Sequence, residues 1–183
     1  TGVLAERRGL STMVRLAQAA HCAQWPMQMD WIGVCYRMDD RKKIERAIQN
    51  KELESIIHRT GWDTYVPSFQ MDSFYRKAHV GLCLMEPDQN YLGSLPTKFY
   101  EYLQYGLPIL CSDFPRWRDF IEQHGCGAVV PPGDAEAAMH VLSHWRNHPD
   151  AYRACARAAM QVASKFRWKK MGTRLKDVYA NVP

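Results

Sequence analysis

Short apolar runs that alternate with amphipathic helical segments constrain the fold of this chain most. Four runs stand out: WIGVCY at 31–36, VGLCLM at 80–85, LPILC at 107–111 and GAVV at 127–130. None of them alternates with polar residues, which is typical of strands covered on both faces. The order predicts a Rossmann-like α/β fold, in which a doubly wound parallel sheet carries helices on both faces. At 183 residues the chain fits one domain, which we assign to residues 1–183.

Turn, capping and spacing patterns predict the remaining elements. The start of the chain, 1–5, reads as the end of a strand, and Ser11 is a plausible N-cap for a helix to about Gln24. One more short strand, besides those already named, is expected at 64–66. Further helices are expected from the charged run 39–43 through Ile48 and at 53–59, 69–77, 115–124, 135–145, 149–165 and 168–180.

Composition and charge narrow the class of protein. Hydrophobic residues make up 46% and charged residues 23% of the chain, as in soluble globular proteins. The net charge of +5 favours anionic partners, but it is spread along the sequence, so we expect no nucleic-acid partner. The six cysteines form no CxxC pair, which favours a reducing, cytoplasmic compartment. No apolar run approaches a membrane span, and the start lacks a signal-peptide pattern.

The stretch GSLPTKFYEYLQYGLPILCSD, residues 93–113, combines a loop, a helix start, a helix and a strand. The first turn of a helix presents unpaired N–H groups and the positive end of a dipole, so Pro96, Thr97 and Lys98 could hold a phosphate. One turn later, the carboxylate of Glu101 could accept hydrogen bonds from two neighbouring hydroxyls. An anion site beside a diol acceptor suggests a nucleotide or a nucleotide sugar.

A second candidate phosphate contact lies near the start of the chain. Arg8 and Gly9 follow the first predicted strand, where a guanidinium could bind a diphosphate, although a surface arginine in a turn is the simpler alternative. The loops after the strands, 6–9, 67–71, 86–95 and 112–116, should all open on one edge of the sheet. The sequence has no GxGxxG after the first strand, no GxxxxGK[ST] and no GxSxG.

Metal binding is not indicated. Asp39 and Asp40 open a charged helix, where capping is the expected role. His140, His144 and His148 fall at helical spacing, but His148 directly precedes Pro149, where helical geometry fails. We therefore expect no metal and no other cofactor.

Several segments together resemble a known family. They are GVLAERRG at 2–9, YRKAHVGLCLMEP at 75–87, SLPTKFYEYLQYGLPILCSD at 94–113 and CGAVVPPGDAEAAMHVL at 126–142. This set is similar to the C-terminal half, which binds the sugar donor, of glycosyltransferases with the GT-B fold, in particular the large retaining family 4. The resemblance implies transfer of a sugar from a UDP- or GDP-type nucleotide diphosphate sugar to a polysaccharide, lipid-linked or other acceptor, without a metal.

The resemblance also assigns site residues. Arg8 matches the basic residue that contacts the diphosphate, and backbone groups at Thr97 and Lys98 match the phosphate-binding helix start. Glu101 matches the glutamate that binds the ribose hydroxyls. The base is expected against the backbone of Tyr65, Val66 and Pro67.

Two positions depart from the family pattern. The glutamate that touches the transferred sugar would fall at Gly93, and an arginine that contacts phosphate would fall at Val3. A subgroup of envelope-polysaccharide enzymes shares the first loss. The base, the sugar and the acceptor stay open, as does the effect of Gly93 on activity.

The resemblance further implies an N-terminal, acceptor-binding domain as the partner of this one. The expected location is the cytoplasm, at times at the cytoplasmic face of the membrane, and the basic aromatic tail 166–170 leaves open a peripheral membrane contact. Two alternatives remain: a non-catalytic partner domain that keeps the fold, and another sugar-nucleotide enzyme such as an epimerase. Without the acceptor half, we expect this chain to bind the sugar donor but to transfer nothing alone.

Overall fold

A computed structural model describes residues 1–50, 52–166, 172, 176, 179 and 180. A 3-10 turn at Glu6–Arg8 comes first. In chain order, the elements that the structure describes are then α1 (Leu10–Cys22), β1 (Met29–Ile32), α2 (Met38–Asn50), β2 (Ile57–Thr60), α3 (Ser68–Lys77), β3 (Gly81–Cys83), α4 (Gln89–Leu92), α5 (Thr97–Gln104), β4 (Ile109–Ser112), α6 (Pro115–His124), β5 (Gly127–Val130), α7 (Ala135–Asn147) and α8 (Pro149–Lys165).

The strands form two parallel ladders. β1 pairs with β2, with Met29 opposite Ile57, and β3, β4 and β5 form a second ladder in that order. The predicted α/β class, with parallel strands flanked by helices, is confirmed. The strand predicted at 1–5 is not formed as such. These residues run beside the chain that follows β1, where the Leu4 N–H donates to the Val34 carbonyl over 2.8 Å.

Both faces of the three-stranded ladder are covered, as β4 shows most clearly. All four β4 residues are buried, and the three apolar side chains divide between two hydrophobic clusters. Leu110 packs with residues of α1 and α7, whereas Ile109 and Cys111 pack with residues of α5, α6 and α8. Alternate side chains of a strand point to opposite faces, so the absence of polar alternation follows from helices lying on each side.

Two predictions between residues 53 and 66 are wrong. The segment predicted as a helix at 53–59 overlaps β2, and 64–66 is a loop rather than a strand. Among the described strands, β2 pairs with β1 alone, so His58 and Arg59 lie at an exposed edge and give the segment a polar pattern that resembles an amphipathic helix. The strand expected at 31–36 is also shifted towards the N-terminus, because β1 ends at Ile32.

The start of α1 is set by Gly9 rather than by Ser11, which lies inside the helix. Gly9 has a φ of 82°, and a Cβ built on it would lie 1.5 Å from the Leu84 carbonyl oxygen. Only glycine fits this close approach. Towards the C-terminus, the predicted bounds of α6, β5 and α8 are confirmed, and Asp134 caps α7 by accepting from the Ala137 N–H. The helix predicted at 168–180 lies outside the described residues.

Candidate functional site

Loops from different strands meet at the carboxyl edge of the sheet. The Glu86 N–H, just beyond β3, donates to the Arg7 carbonyl over 3.1 Å. The Thr12 hydroxyl donates to Glu86 Oε1 over 3.0 Å, and Arg15 Nη2 donates to the Gly133 carbonyl over 2.8 Å. Two of these bonds come from α1, which carries Thr12 and Arg15. Through α1, the bonds join the 3-10 turn, the loop after β3 and the loop after β5. Sequence patterns did not indicate this network, because its members are polar residues far apart in the chain.

Arg8 and Lys98, which are 90 positions apart in sequence, converge beside Gly2. A methyl group built on Gly2 would lie 3.5 Å from Arg8 Nη1 and 3.7 Å from Lys98 Cε. Arg8 Nε is inaccessible to water and has no hydrogen-bond partner among the described residues. A buried, unpaired guanidinium nitrogen costs free energy, so it indicates a place where an anionic ligand would compensate.

Electrostatics at Lys98 support the same conclusion. Burial lowers the pKa of the Lys98 ammonium; the nearby Arg8 lowers it as well, while Cys83 and Glu101 oppose the shift. A lysine whose charged form is disfavoured gains when an anion binds beside it. Two cations that are incompletely neutralised therefore face the same point.

The helix start predicted at Pro96, Thr97 and Lys98 is formed, because α5 begins at Thr97. Its N-terminus lies beside Arg8, since Lys98 belongs to its first turn. Pro96 is the N-cap residue with φ −64° and ψ 140°, and no side chain in the described part of the chain caps the helix. The first N–H groups, at Thr97 and Lys98, have no partner within the helix, because no helical carbonyl precedes them by one turn. Phe99 is fully buried and stacks edge-on against Trp117, which fixes the direction of the helix. The helix start and Arg8 thus form one positively charged corner that could bind an anion. We call it the anion corner; it consists of Arg8, Pro96, Thr97 and Lys98.

Glu101 lies one turn into α5, beside the anion corner. Its Oε2 accepts a hydrogen bond of 2.5 Å from the hydroxyl of Tyr75 in α3. Burial, and then the carboxylate of Glu101, raise the pKa of Tyr75, which therefore stays a proton donor. Tyr75 was not singled out as a site residue from the sequence. Tyr75 lies four residues after Met71, on the buried face of α3. This spacing could have indicated a buried tyrosine, whose hydroxyl requires a hydrogen-bond partner.

The segment predicted to contact the base lies in the loop after β2. Tyr65 is exposed, Val66 is buried and Pro67 is half-buried. The segment follows a strand as expected, although that strand is β2 rather than one at 64–66. It therefore follows the carboxyl end of a strand in the two-stranded ladder, whereas the anion corner adjoins the three-stranded one, and no described contact joins the two.

The loop that contains Gly93 is tied to α6. Arg116 Nη1 donates to the Gly93 carbonyl over 2.5 Å, and Trp117 Nε1 donates to the Ser94 carbonyl over 2.7 Å. A Cβ built on Gly93 would meet nothing within 4 Å, so its missing side chain leaves open space. These two anchors join residues 23 positions apart and were not predicted.

Other candidate features contribute little to this site. Asp39 and Asp40 lie in the first turn of α2, and Asp40 Oδ2 accepts from the Glu6 N–H over 3.3 Å. His144 and His148 stack with ring centroids 4.3 Å apart, and the part of the chain that the structure describes contains no cluster of three metal-ligating side chains. A cavity of about 1000 Å³ lies between β1 and β3, lined by Trp31 and Leu82 among others, and includes no predicted site residue.

Among the described helices, none is both long and apolar enough to cross a membrane. The basic part of the tail considered for membrane contact, 167–170, lies outside the described residues.

The sequence matches the family described as Glycosyl transferases group 1 over residues 2–162. No curated protein matches it. Among solved structures, it is similar to the C-terminal domain of the group 1 glycosyl transferase LpcC from Francisella tularensis, with 14% identity, a TM-score of 0.74, and coverage of 91% of this chain and 83% of that one.

Two further similar structures contain ligands. Anabaena Alr3699/HepE in complex with UDP-glucose shares 13% identity with a TM-score of 0.80, and the match covers 99% of this chain and 48% of that one. The pneumococcal O-GlcNAc transferase GtfA, in complex with UDP and GlcNAc, shares 18% identity with a TM-score of 0.76, covering 97% of this chain and 34% of that one. This chain thus spans half or less of the length of those two proteins.

At such low identities the structural similarity speaks for the fold alone, but the family match covers most of the chain, and the chain therefore belongs to the glycosyl transferases group 1 family.

Proposed function

We propose that this chain binds the nucleoside diphosphate sugar from which a glycosyltransferase takes the transferred sugar. The observation that carries the proposal is the anion corner, where Arg8 Nε lacks a partner among the described residues and Lys98 approaches the same point. A diphosphate carries two anionic groups, which suits a guanidinium, an ammonium and an uncapped helix start. UDP and UDP-glucose, bound in the two similar proteins, are ligands of this kind.

The roles of the remaining residues follow from their places around that corner. Glu101 accepts hydrogen bonds from the ribose hydroxyls, and the backbone of Tyr65, Val66 and Pro67 contacts the base. During transfer, negative charge grows on the leaving diphosphate. Arg8, Lys98 and the N–H groups at Thr97 stabilise this charge, so that no divalent metal is required.

The finer parts of the proposal concern the whole enzyme. The sugar is a hexose transferred with retention of configuration to a polysaccharide or a lipid-linked acceptor, and an N-terminal domain supplies the acceptor site. The reaction takes place in the cytoplasm, at its membrane face when the acceptor is a lipid. Product stereochemistry measured by NMR on an enzyme that carries this chain tests retention; inverted product would contradict it.

Titration calorimetry tests the binding claim directly. We expect UDP or GDP to bind the folded chain, and the corresponding monophosphate to bind at least about tenfold more weakly because it lacks one charge-assisted contact. Binding should persist in EDTA. Absence of heat with both diphosphates, in a sample whose circular dichroism shows a folded α/β protein, would refute the proposal.

A further inference from the structure

The carboxylate of Glu101 is held by one buried tyrosine. Tyr75 is 6% exposed, and its hydroxyl donates to Glu101 Oε2 over 2.5 Å, a distance typical of a hydrogen bond to an ionised acceptor. The Tyr75 ring is fixed in turn by packing between α3 and α5: its centroid lies 5.0 Å from that of Tyr105 and 5.9 Å from that of Tyr102. The donor of this hydrogen bond is therefore a tyrosine whose ring is packed against two others.

The neighbourhood of Glu101 offers a competing partner. Lys98 lies three residues earlier on the same helix, a spacing at which opposite charges normally pair. The two groups influence each other electrostatically, yet no ion pair within 4.0 Å joins them among the described residues. The carboxylate is thus hydrogen-bonded to the Tyr75 hydroxyl and not paired with the Lys98 ammonium.

The hydrogen bond also leaves part of the carboxylate unused. A carboxylate accepts about four hydrogen bonds through its two oxygens. Tyr75 contacts Oε2, while Oε1 has no partner in the part of the chain that the structure describes. With one oxygen anchored and the other open, the carboxylate can accept from a pair of vicinal hydroxyls at a fixed position.

We propose that Tyr75 is a positioning residue that orients the Glu101 carboxylate for the ribose hydroxyls of the bound nucleotide. The inference rests on the proposed function, because it takes Glu101 as the group that contacts the ribose. It adds to that function a residue from another helix that acts through Glu101, although its hydroxyl also lies 3.4 Å from Thr1 Oγ1.

The test compares two ligands in two forms of the chain. Calorimetric Kd values are measured for UDP and for 2′,3′-dideoxy-UDP, with native protein and with Tyr75→Phe, which keeps the ring but removes the hydroxyl. We expect UDP binding to weaken about 5- to 20-fold in the variant, as for one lost hydrogen-bonded contact, while binding of the dideoxy ligand changes less than about twofold. A structural defect would weaken both ligands equally.

Two matched variants complete the design. Tyr105→Phe removes the hydroxyl of a tyrosine whose ring packs against Tyr75, but this hydroxyl donates to Asp72 over 2.8 Å and not to Glu101. The variant should leave the ratio of the two Kd values unchanged. Glu101→Gln should lower the ratio of the dideoxy-UDP Kd to the UDP Kd at least as far as Tyr75→Phe does. If GDP proves to be the ligand, GDP and its dideoxy form replace the uridine pair.

The outcomes separate the two proposals. If native protein binds UDP better than dideoxy-UDP and Tyr75→Phe keeps the same ratio, the role of Tyr75 is refuted while the proposed function stands. If native protein binds both ligands equally, the ribose role of Glu101 and the positioning role of Tyr75 both fail. If neither ligand binds, the proposed function itself fails, and this inference with it.

Discussion

Replacing Arg8 with alanine should move ligand binding and folding stability in opposite directions. Arg8 Nε is buried without a partner among the described residues, and its guanidinium shares the anion corner with Lys98. In the ligand-free protein this arrangement is unfavourable, because a desolvated donor is unpaired and two cations approach each other. In the complex, a diphosphate would satisfy both.

The magnitudes follow from these contacts. A charge-assisted hydrogen bond contributes about 1.5–3 kcal/mol, so Arg8→Ala should weaken UDP binding by about 10- to 150-fold. An unsatisfied buried donor costs about 1–3 kcal/mol. Part of the Arg8 side chain remains accessible, so we expect the free energy of unfolding of the ligand-free chain to rise by only about 1 kcal/mol.

Arg7 provides the matched control. It is the neighbouring residue in the same 3-10 turn, it is exposed, and its removal changes the net charge by the same amount. Arg7→Ala should therefore leave UDP affinity within about twofold and the free energy of unfolding within about 0.5 kcal/mol. Calorimetry gives the affinities, and urea denaturation without ligand gives the stabilities.

Two combinations of results would contradict this role of Arg8. If Arg8→Ala destabilises the ligand-free chain and leaves UDP affinity unchanged, Arg8 supports the fold and does not contact the diphosphate. Equal losses of affinity in both variants would show that only the overall positive charge matters.

Three further predictions concern the surroundings of the site. Gly93 and Gly125 both have open space for a Cβ, but φ is −93° at Gly93 and 60° at Gly125. Gly93→Ala should therefore stabilise the chain by about 0.4–1 kcal/mol in urea denaturation, and Gly125→Ala should destabilise it by about 1 kcal/mol; equal effects would contradict these backbone angles. Phe99→Ala, at a fully buried position beneath the anion corner, should cost about 3–5 kcal/mol, and a loss below about 1 kcal/mol would mean that α5 is not anchored there. Burial lowers the pKa of Lys98 below its ordinary 10.5, so the unfolded chain binds more protons at alkaline pH. Lys98→Met should therefore be more stable than the native chain near neutral pH, with a difference that shrinks as pH rises towards 10.5; a difference independent of pH would contradict the shift.

The sequence determined those elements whose signals are local. α6 and α8 begin with proline in the first turn, and Asp134 caps α7 with its own side chain. These signals depend on neighbouring residues, so their bounds could be predicted. Pro96, Thr97, Lys98 and Glu101 could be proposed together for the same reason, because they fall within two turns of one helix.

Tertiary structure decided what depends on residues far apart in the chain. β2 was predicted as a helix, because a short edge strand with exposed polar residues shows no distinctive period until its pairing with β1 is known. The convergence of Arg8 and Lys98, the bond from Tyr75 to Glu101, and the anchoring of the Gly93 loop by Arg116 each span more than 20 positions. Such contacts arise from the packing of helices on a sheet, and no local pattern specifies them.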